Sequence, residues 1–171
     1  MESKILSNTD PAYKELYPYQ EEAIDLIFKT FDASDEVINV LFQLPTGGGK
    51  TIIFSEIARQ FIERRKQKVL ILTHRVELCA QTSKALSDIE VKNKIIDRDV
   101  KELHDREEYD CYVAMVETLN NRLNENENYL RNIGLVIVDE AHYNSFRKLF
   151  KFFENAFMLG VTATQIGRAH V

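Results

Sequence analysis

An apolar run from Val37 to Leu44 breaks into Pro45-Thr46-Gly47-Gly48-Gly49-Lys50-Thr51. Apolar residues then resume at helical spacing with Ile53, Phe54, Ile57, Ala58, Phe61 and Ile62. A strand that feeds a glycine loop opening a helix has the local chemistry to hold a polyphosphate. Glycines let backbone N–H groups turn inward around an anion, and the helix N-terminus adds the positive end of its dipole. Lys50 places a point charge on terminal phosphates, and the Thr51 hydroxyl can hold a magnesium ion. The strict form of this loop begins with glycine, where this chain has Leu44. Taken alone, the loop also reads as a plain glycine-rich strand-to-helix turn.

The rest of the chain repeats the same alternation. Pro18 opens a helical pattern carried by Ala23, Ile24, Ile27, Phe28 and Phe31, with Glu21 and Glu22 where the dipole favours carboxylates. Arg64-Arg65-Lys66-Gln67-Lys68 closes the second helix as a solvated cationic end. Val69–Thr73 is a short apolar run, followed by a helix with Val76, Cys79, Ala80, Ser83 and Leu86 on one face. Val91–Asp97 is read as another strand, and Glu102–Asp110 as a charged surface segment. Tyr112–Met115 is a further apolar run, and the polar stretch Asn120–Arg131 is expected to be a helix outside the core. Leu135–Val138 leads into Asp139-Glu140-Ala141-His142. Phe146, Leu149, Phe150, Phe153 and Phe157 then form an aromatic stripe at helical spacing, read as core packing, and Met158–Val161 is a last strand. Continuous apolar runs alternating with helices predict one α/β domain, a three-layer parallel sheet with helices on both faces. Ligands of such sheets sit at the carboxyl ends of the strands, where every polar motif of this chain falls.

Composition narrows the function classes. A net charge of −5 over 171 residues argues against a uniformly basic nucleic-acid binder, while leaving room for a local basic face. The two cysteines, Cys79 and Cys111, have no zinc spacing and imply no disulfide framework, which suggests a reducing compartment. The polar start, Met1–Asp10, lacks a secretory h-region, and no apolar run reaches membrane-spanning length. A soluble, cytoplasmic domain is the expectation.

Asp139 and Glu140 follow a buried run, which predicts that they share a sheet edge with Lys50 and Thr51. One carboxylate there can hold magnesium and the next can orient or deprotonate an attacking water, as phosphoanhydride hydrolysis requires. With these motifs in order, the chain resembles the first RecA-like domain of superfamily 2 helicases and translocases. Within that superfamily it is most similar to the branch of type III restriction enzyme subunits and DEAD/DEAH-box DNA helicases. The likeness covers Leu16–Thr164. It implies a P-loop NTPase fold with ATP and Mg2+ as cofactors and nucleic acid as partner, DNA over RNA. Tyr17-Pro18-Tyr19-Gln20 resembles the adenine-recognition motif, which implies that Gln20 reads the adenine edge beside Tyr17, where relatives often carry arginine. Leu44–Thr51 is similar to motif I, for which Pro45-Thr46-Gly47-Gly48-Gly49-Lys50-Thr51 is a common form. Thr73-His74-Arg75-Val76-Glu77-Leu78 looks like motif Ia, implying a phosphate contact by Arg75. Ala114–Leu119 resembles the motif whose threonine, here Thr118, faces nucleic acid. Asp139-Glu140-Ala141-His142 is the DEAH form of motif II, with Asp139 on magnesium and Glu140 on water. His142 would link it to motif III, Thr162-Ala163-Thr164.

The pattern departs from the family after Thr164, where proline is usual and Gln165 stands. Residues 1–15 are expected to be an extension and 16–164 the ATP-binding domain. Residues 165–171 are read as a non-native tail, whose back-translation can match a sequencing-adapter read-through. A second RecA-like domain, which the resemblance assigns to the parent protein, would supply arginine fingers; without it, weak ATP binding and slow hydrolysis, if any, are expected. Two readings from other classes stay open. One is a nucleotide-gated nucleic-acid-binding module, and the other is a P-loop kinase or metabolic ATPase.

Overall fold

The computed structural model describes residues 16–44, 49–104, 108–140 and 147–162. In chain order these form α1 (Pro18–Asp32), β1 (Asn39–Gln43), α2 (Lys50–Arg65), β2 (Lys68–Thr73), α3 (Val76–Asp88), β3 (Asn93–Ile96), β4 (Cys111–Met115), α4 (Val116–Glu125), β5 (Ile133–Asp139), a 3-10 turn (Phe150–Phe152) and β6 (Phe157–Thr162). The strands make one parallel sheet in the order β1-β6-β5-β2-β4-β3.

Side-chain alternation along the strands divides the core into two layers, as a pleated strand must. Val69 and Ile71 of β2, Val113 of β4, Leu135 and Ile137 of β5, and Leu159 and Val161 of β6 face α1, α2 and α3. Leu70, Leu72, Tyr112, Val136, Val138 and Met158 face the other way, onto α4 and the 149–156 segment. Both faces of the sheet are covered, so its central strands are apolar on every residue rather than on alternate ones. The expected three-layer α/β architecture is the observed one.

Several local expectations change. The run Val37–Leu44 shrinks to Asn39–Gln43, and this strand is only partly buried, because β6 is its single neighbour among the described strands. The buried face of α3 is Cys79, Thr82 and Leu86. Val76, 66% exposed, starts the helix beyond the end of β2, where no sheet lies beneath it, and Ala80 is also exposed. The polar helix expected at Asn120–Arg131 instead runs over Val116–Glu125, and it is not outside the core. Leu119 and Leu123, one turn apart, are buried against the sheet, while the Asn and Glu residues take the solvent face. Beyond its end Tyr129 is also buried, its hydroxyl donating to the Val100 carbonyl at 2.6 Å.

The aromatic stripe does pack in the core, but not as one helix. Leu149 and Phe153 join the α4 layer, whereas Phe157 opens β6 and points to the opposite layer. There its ring lies 4.7 Å from Phe31 and 6.2 Å from Phe61. Phe146 lies outside the described residues. The cationic end of α2 also has structural work. The Arg64 guanidinium sits 4.2 Å above Phe28, and that of Arg65 sits 5.2 Å above Phe157 while pairing with Asp32 at 2.8 Å. Lys66 ends the helix in the left-handed region at φ 57°. Gly134 is required by close approach, since a Cβ there would lie 2.6 Å from Gln67 Oε1. Cys79 and Cys111 are buried free thiols, and burial raises the pKa of both. Among the described residues no helix is long and apolar enough to cross a membrane.

Candidate functional site

All strands are parallel, so their carboxyl ends line one edge of the sheet. Gln43, Thr73, Met115, Asp139 and Thr162 are the last residues of β1, β2, β4, β5 and β6. On one half of that edge β6 lies between β1 and β5, with Gln43 in register with Thr162 and Asp139 with Val161. The ends of β1 and β5 are therefore two strand spacings apart, about 10 Å. Leu44 continues the alignment past β1, its N–H donating to the Thr162 carbonyl at 3.0 Å.

Lys50 spans this gap. It is the first residue of α2, and its Nζ lies 3.3 Å from Asp139 Oδ1 and 2.7 Å from Glu140 Oε1. The Asp139 side chain is 7% exposed and that of Glu140 39%, so one carboxylate is sunk in the sheet edge and the other reaches water. Glu140 follows the strand with φ 54°, a left-handed conformation that costs a non-glycine residue roughly 1–2 kcal/mol. Partial burial works against the Lys50 charge. Hydrogen bonds and charges from Glu140 and Asp139 outweigh it and hold the ammonium pKa above its ordinary 10.5. A raised folded-state pKa means that the ion-pair contribution is fully present below the unfolded value and is lost as pH rises through the folded one. The difference in melting temperature between the unsubstituted chain and Lys50→Met is therefore expected to stay constant through neutral pH and to shrink above about pH 10.5. Melting curves across that range check this, and a difference unchanged in strong alkali would contradict it.

The N-terminus of α2 could hold an anion. Gly49 is its N-cap, at φ 71° and ψ 44°, and no side chain caps the first turn. The helix start thus directs backbone N–H groups and its dipole toward the same edge as Lys50. Thr51 is partly exposed in this turn, and its carbonyl accepts the Ser55 hydroxyl at 2.8 Å. Among the described residues no group of three His, Cys, Asp or Glu could hold a metal by itself. An ion held there by Asp139 and the Thr51 hydroxyl would have to take its other ligands from phosphates and water.

Gln20 is 2% exposed, in the first turn of α1. Its Oε1 accepts the Tyr17 N–H at 2.8 Å while its own N–H donates to the Tyr17 carbonyl at 2.9 Å. Its Nε2 lies against Gly49, where a Cβ would come within 2.7 Å of it. The expected place of Gln20 is at a base, and its contact with Gly49 is not legible in the sequence. Tyr17, 65% exposed, stacks on Tyr19 with ring centroids 6.1 Å apart and planes 8° from parallel. Gly49→Ala combines left-handed strain with a clash on Gln20, so a loss of about 1–2 kcal/mol is expected in urea unfolding. An unchanged midpoint would show that the loop does not depend on this geometry.

The other half of the edge carries different chemistry. Arg75 is exposed at the N-cap of α3, directly after β2. Thr118 is in the first turn of α4, directly after β4, and Met115 rather than Thr118 is the cap. Thr73 is in register with Met115, so these two helix starts stand side by side. Thr162, 6% exposed, ends β6 between β1 and β5. Pro45, Thr46, Gly47, Gly48, His142 and Thr164 lie outside the described residues.

Comparison with known proteins agrees with this geometry. Residues 13–166 match the family described as type III restriction enzyme, res subunit. IRC3 of Saccharomyces cerevisiae is 37% identical over 148 residues, 81% of this chain and 21% of that protein. Replication restart protein PriA of Chlamydia pneumoniae is 27% identical over 156 residues, 86% of this chain and 20% of its own length. The chain thus spans about a fifth of the curated relatives that it matches. Among solved structures, the bacteriophage T4 UvsW helicase superimposes with a TM-score of 0.66 at 20% identity, covering 88% of this chain and 53% of that one. The type ISP restriction-modification enzyme LlaGI, solved with a DNA substrate mimic, gives 0.65 at 22% identity, covering 88% and 18%. The Sulfolobus solfataricus SWI2/SNF2 ATPase core, solved with double-stranded DNA, gives 0.68 at 16% identity, covering 90% and 33%. These three likenesses speak for the fold. With the parallel sheet, the lysine–carboxylate edge and a family match over residues 13–166, the chain belongs to the type III restriction enzyme res subunit family as a RecA-like ATPase domain of the superfamily 2 helicases.

Proposed function

We propose that this chain is the ATP-binding and ATP-hydrolysing motor domain of a DNA helicase or translocase. The observation that carries the reading is Lys50, which reaches from the glycine loop across β6 to Asp139 and Glu140. Pro45, Thr46, Gly47, Gly48 and Gly49 would wrap the phosphates, with Lys50 on the terminal ones. Thr51 and Asp139 would hold Mg2+, which when bound neutralises charge developing between the transferred and leaving phosphates. Glu140, the more exposed carboxylate, would orient and deprotonate the attacking water. Tyr17 and Gln20 would receive the adenine. His142, Thr162 and Thr164 would couple the nucleotide state to the strand ends beyond β5.

Arg75 and Thr118 would meet the sugar-phosphate backbone on the β2–β4 half of the edge, beside the nucleotide rather than in it. The DNA in the LlaGI and SWI2/SNF2 structures supports DNA as the partner. Phosphate release measured with and without single-stranded DNA, duplex DNA and RNA tests the reading. Stimulation by DNA is the expected result, and greater stimulation by RNA would reassign the substrate. DNA binding without faster turnover would make the chain a nucleotide-gated binding module.

A further inference from the structure

Thr73 ends β2 with its side chain in the core, 1% exposed. A hydroxyl taken out of water there must find partners within the protein. Its Oγ1 donates to the Arg75 carbonyl at 3.0 Å and lies 3.4 Å from Cys79 Sγ. The Cys79 N–H reaches the same carbonyl at 3.4 Å. The Arg75 carbonyl is thus held by two donors, one from the strand and one from the first turn of α3. Of these, the Thr73 bond is the shorter.

Only His74 separates the end of β2 from the N-cap of α3 at Arg75, whose backbone is extended at φ −131° and ψ 136°. In so short a junction, fixing one peptide plane fixes the direction in which the Arg75 side chain leaves the sheet edge. A long cation on a steady backbone gives up less freedom on meeting a phosphate than one on a loose junction.

We propose that Thr73 is a positioning residue for the nucleic-acid grip, aiming Arg75 through the hydroxyl bond to its carbonyl. This rests on Arg75 as a backbone contact, and the test separates the two. Affinity of the full chain for a labelled single-stranded DNA oligonucleotide is measured by fluorescence anisotropy at several salt concentrations, beside MgATP affinity and melting temperature. Thr73→Val keeps the shape and removes the donor, and is expected to weaken DNA binding about threefold to tenfold. Thr73→Ser, which keeps the donor, is expected to restore it, with MgATP affinity unchanged in both. Thr73→Ala serves where the valine variant fails to fold. In the Thr73→Val/Arg75→Ala pair the loss should be no larger than in Arg75→Ala alone.

Should Arg75→Ala bind like the unsubstituted chain, or the unsubstituted chain bind no DNA, the Arg75 contact is overturned and the positioning role goes with it. A real loss in Arg75→Ala, with none in Thr73→Val or with additive losses in the pair, overturns the positioning role alone. So does a Thr73→Val loss shared equally by MgATP affinity, which would mark Thr73 as structural only.

Discussion

Lys50→Ala is expected to weaken MgATP binding by about 100-fold, the scale of removing one member of a partly buried charge pair. The geometry explains why so much depends on one ammonium group. Lys50 stands 3.3 Å from Asp139 and 2.7 Å from Glu140, and its charge offsets both carboxylates. Without it, incoming phosphates meet two negative groups. The loss should therefore be larger without added magnesium than with it. Titration of a fluorescent nucleotide under both conditions measures this. An affinity within threefold of the unsubstituted chain would mean that the phosphates sit elsewhere.

Glu140→Gln should act on the opposite quantity. In a parent protein that supplies the second RecA-like domain, turnover is expected to fall about a thousandfold, in the middle of the range for losing a general base. Nucleotide affinity should hold or rise, because the amide no longer competes as an anion for Lys50. Glutamine keeps the size of the side chain and the same backbone demand at φ 54°, so the comparison isolates the carboxylate. Glu140→Gly is a useful partner, since it eases the backbone while removing the base. If both variants lose turnover, the carboxylate matters rather than the strain. Phosphate release near the unsubstituted rate in Glu140→Gln would remove Glu140 from the role of base.

The elements that were legible in the sequence are those whose chemistry is local. The helix from Pro18 and the helix after Gly49 carry their own periodicity and the central strands are continuous apolar runs, and most of these apolar positions are buried. The misread segments are those where packing overrides local pattern. In α4, Leu119 and Leu123 are enough to seat a helix that otherwise reads as polar, because only one stripe needs to touch the sheet. The aromatic stripe kept its four-residue spacing across a turn, so Phe153 and Phe157 fall on opposite sides of the sheet despite looking like one helical face.

The same division holds for the candidate site. The glycine loop, Lys50 and the Asp139-Glu140 pair are recognisable from residue types in order, because phosphate and metal chemistry restrict what can stand there. Their distances were decided only by β6, the last of the described strands, which lies between β1 and β5 and sets the gap that Lys50 bridges. Gln20 against Gly49, and the start of α3 beside that of α4, are likewise products of pairing between segments far apart in sequence. Sequence alone thus determined which groups could do the chemistry and that they would gather at the carboxyl ends of parallel strands. Tertiary structure decided which of them touch, since strand order is fixed by long-range burial that no local pattern encodes.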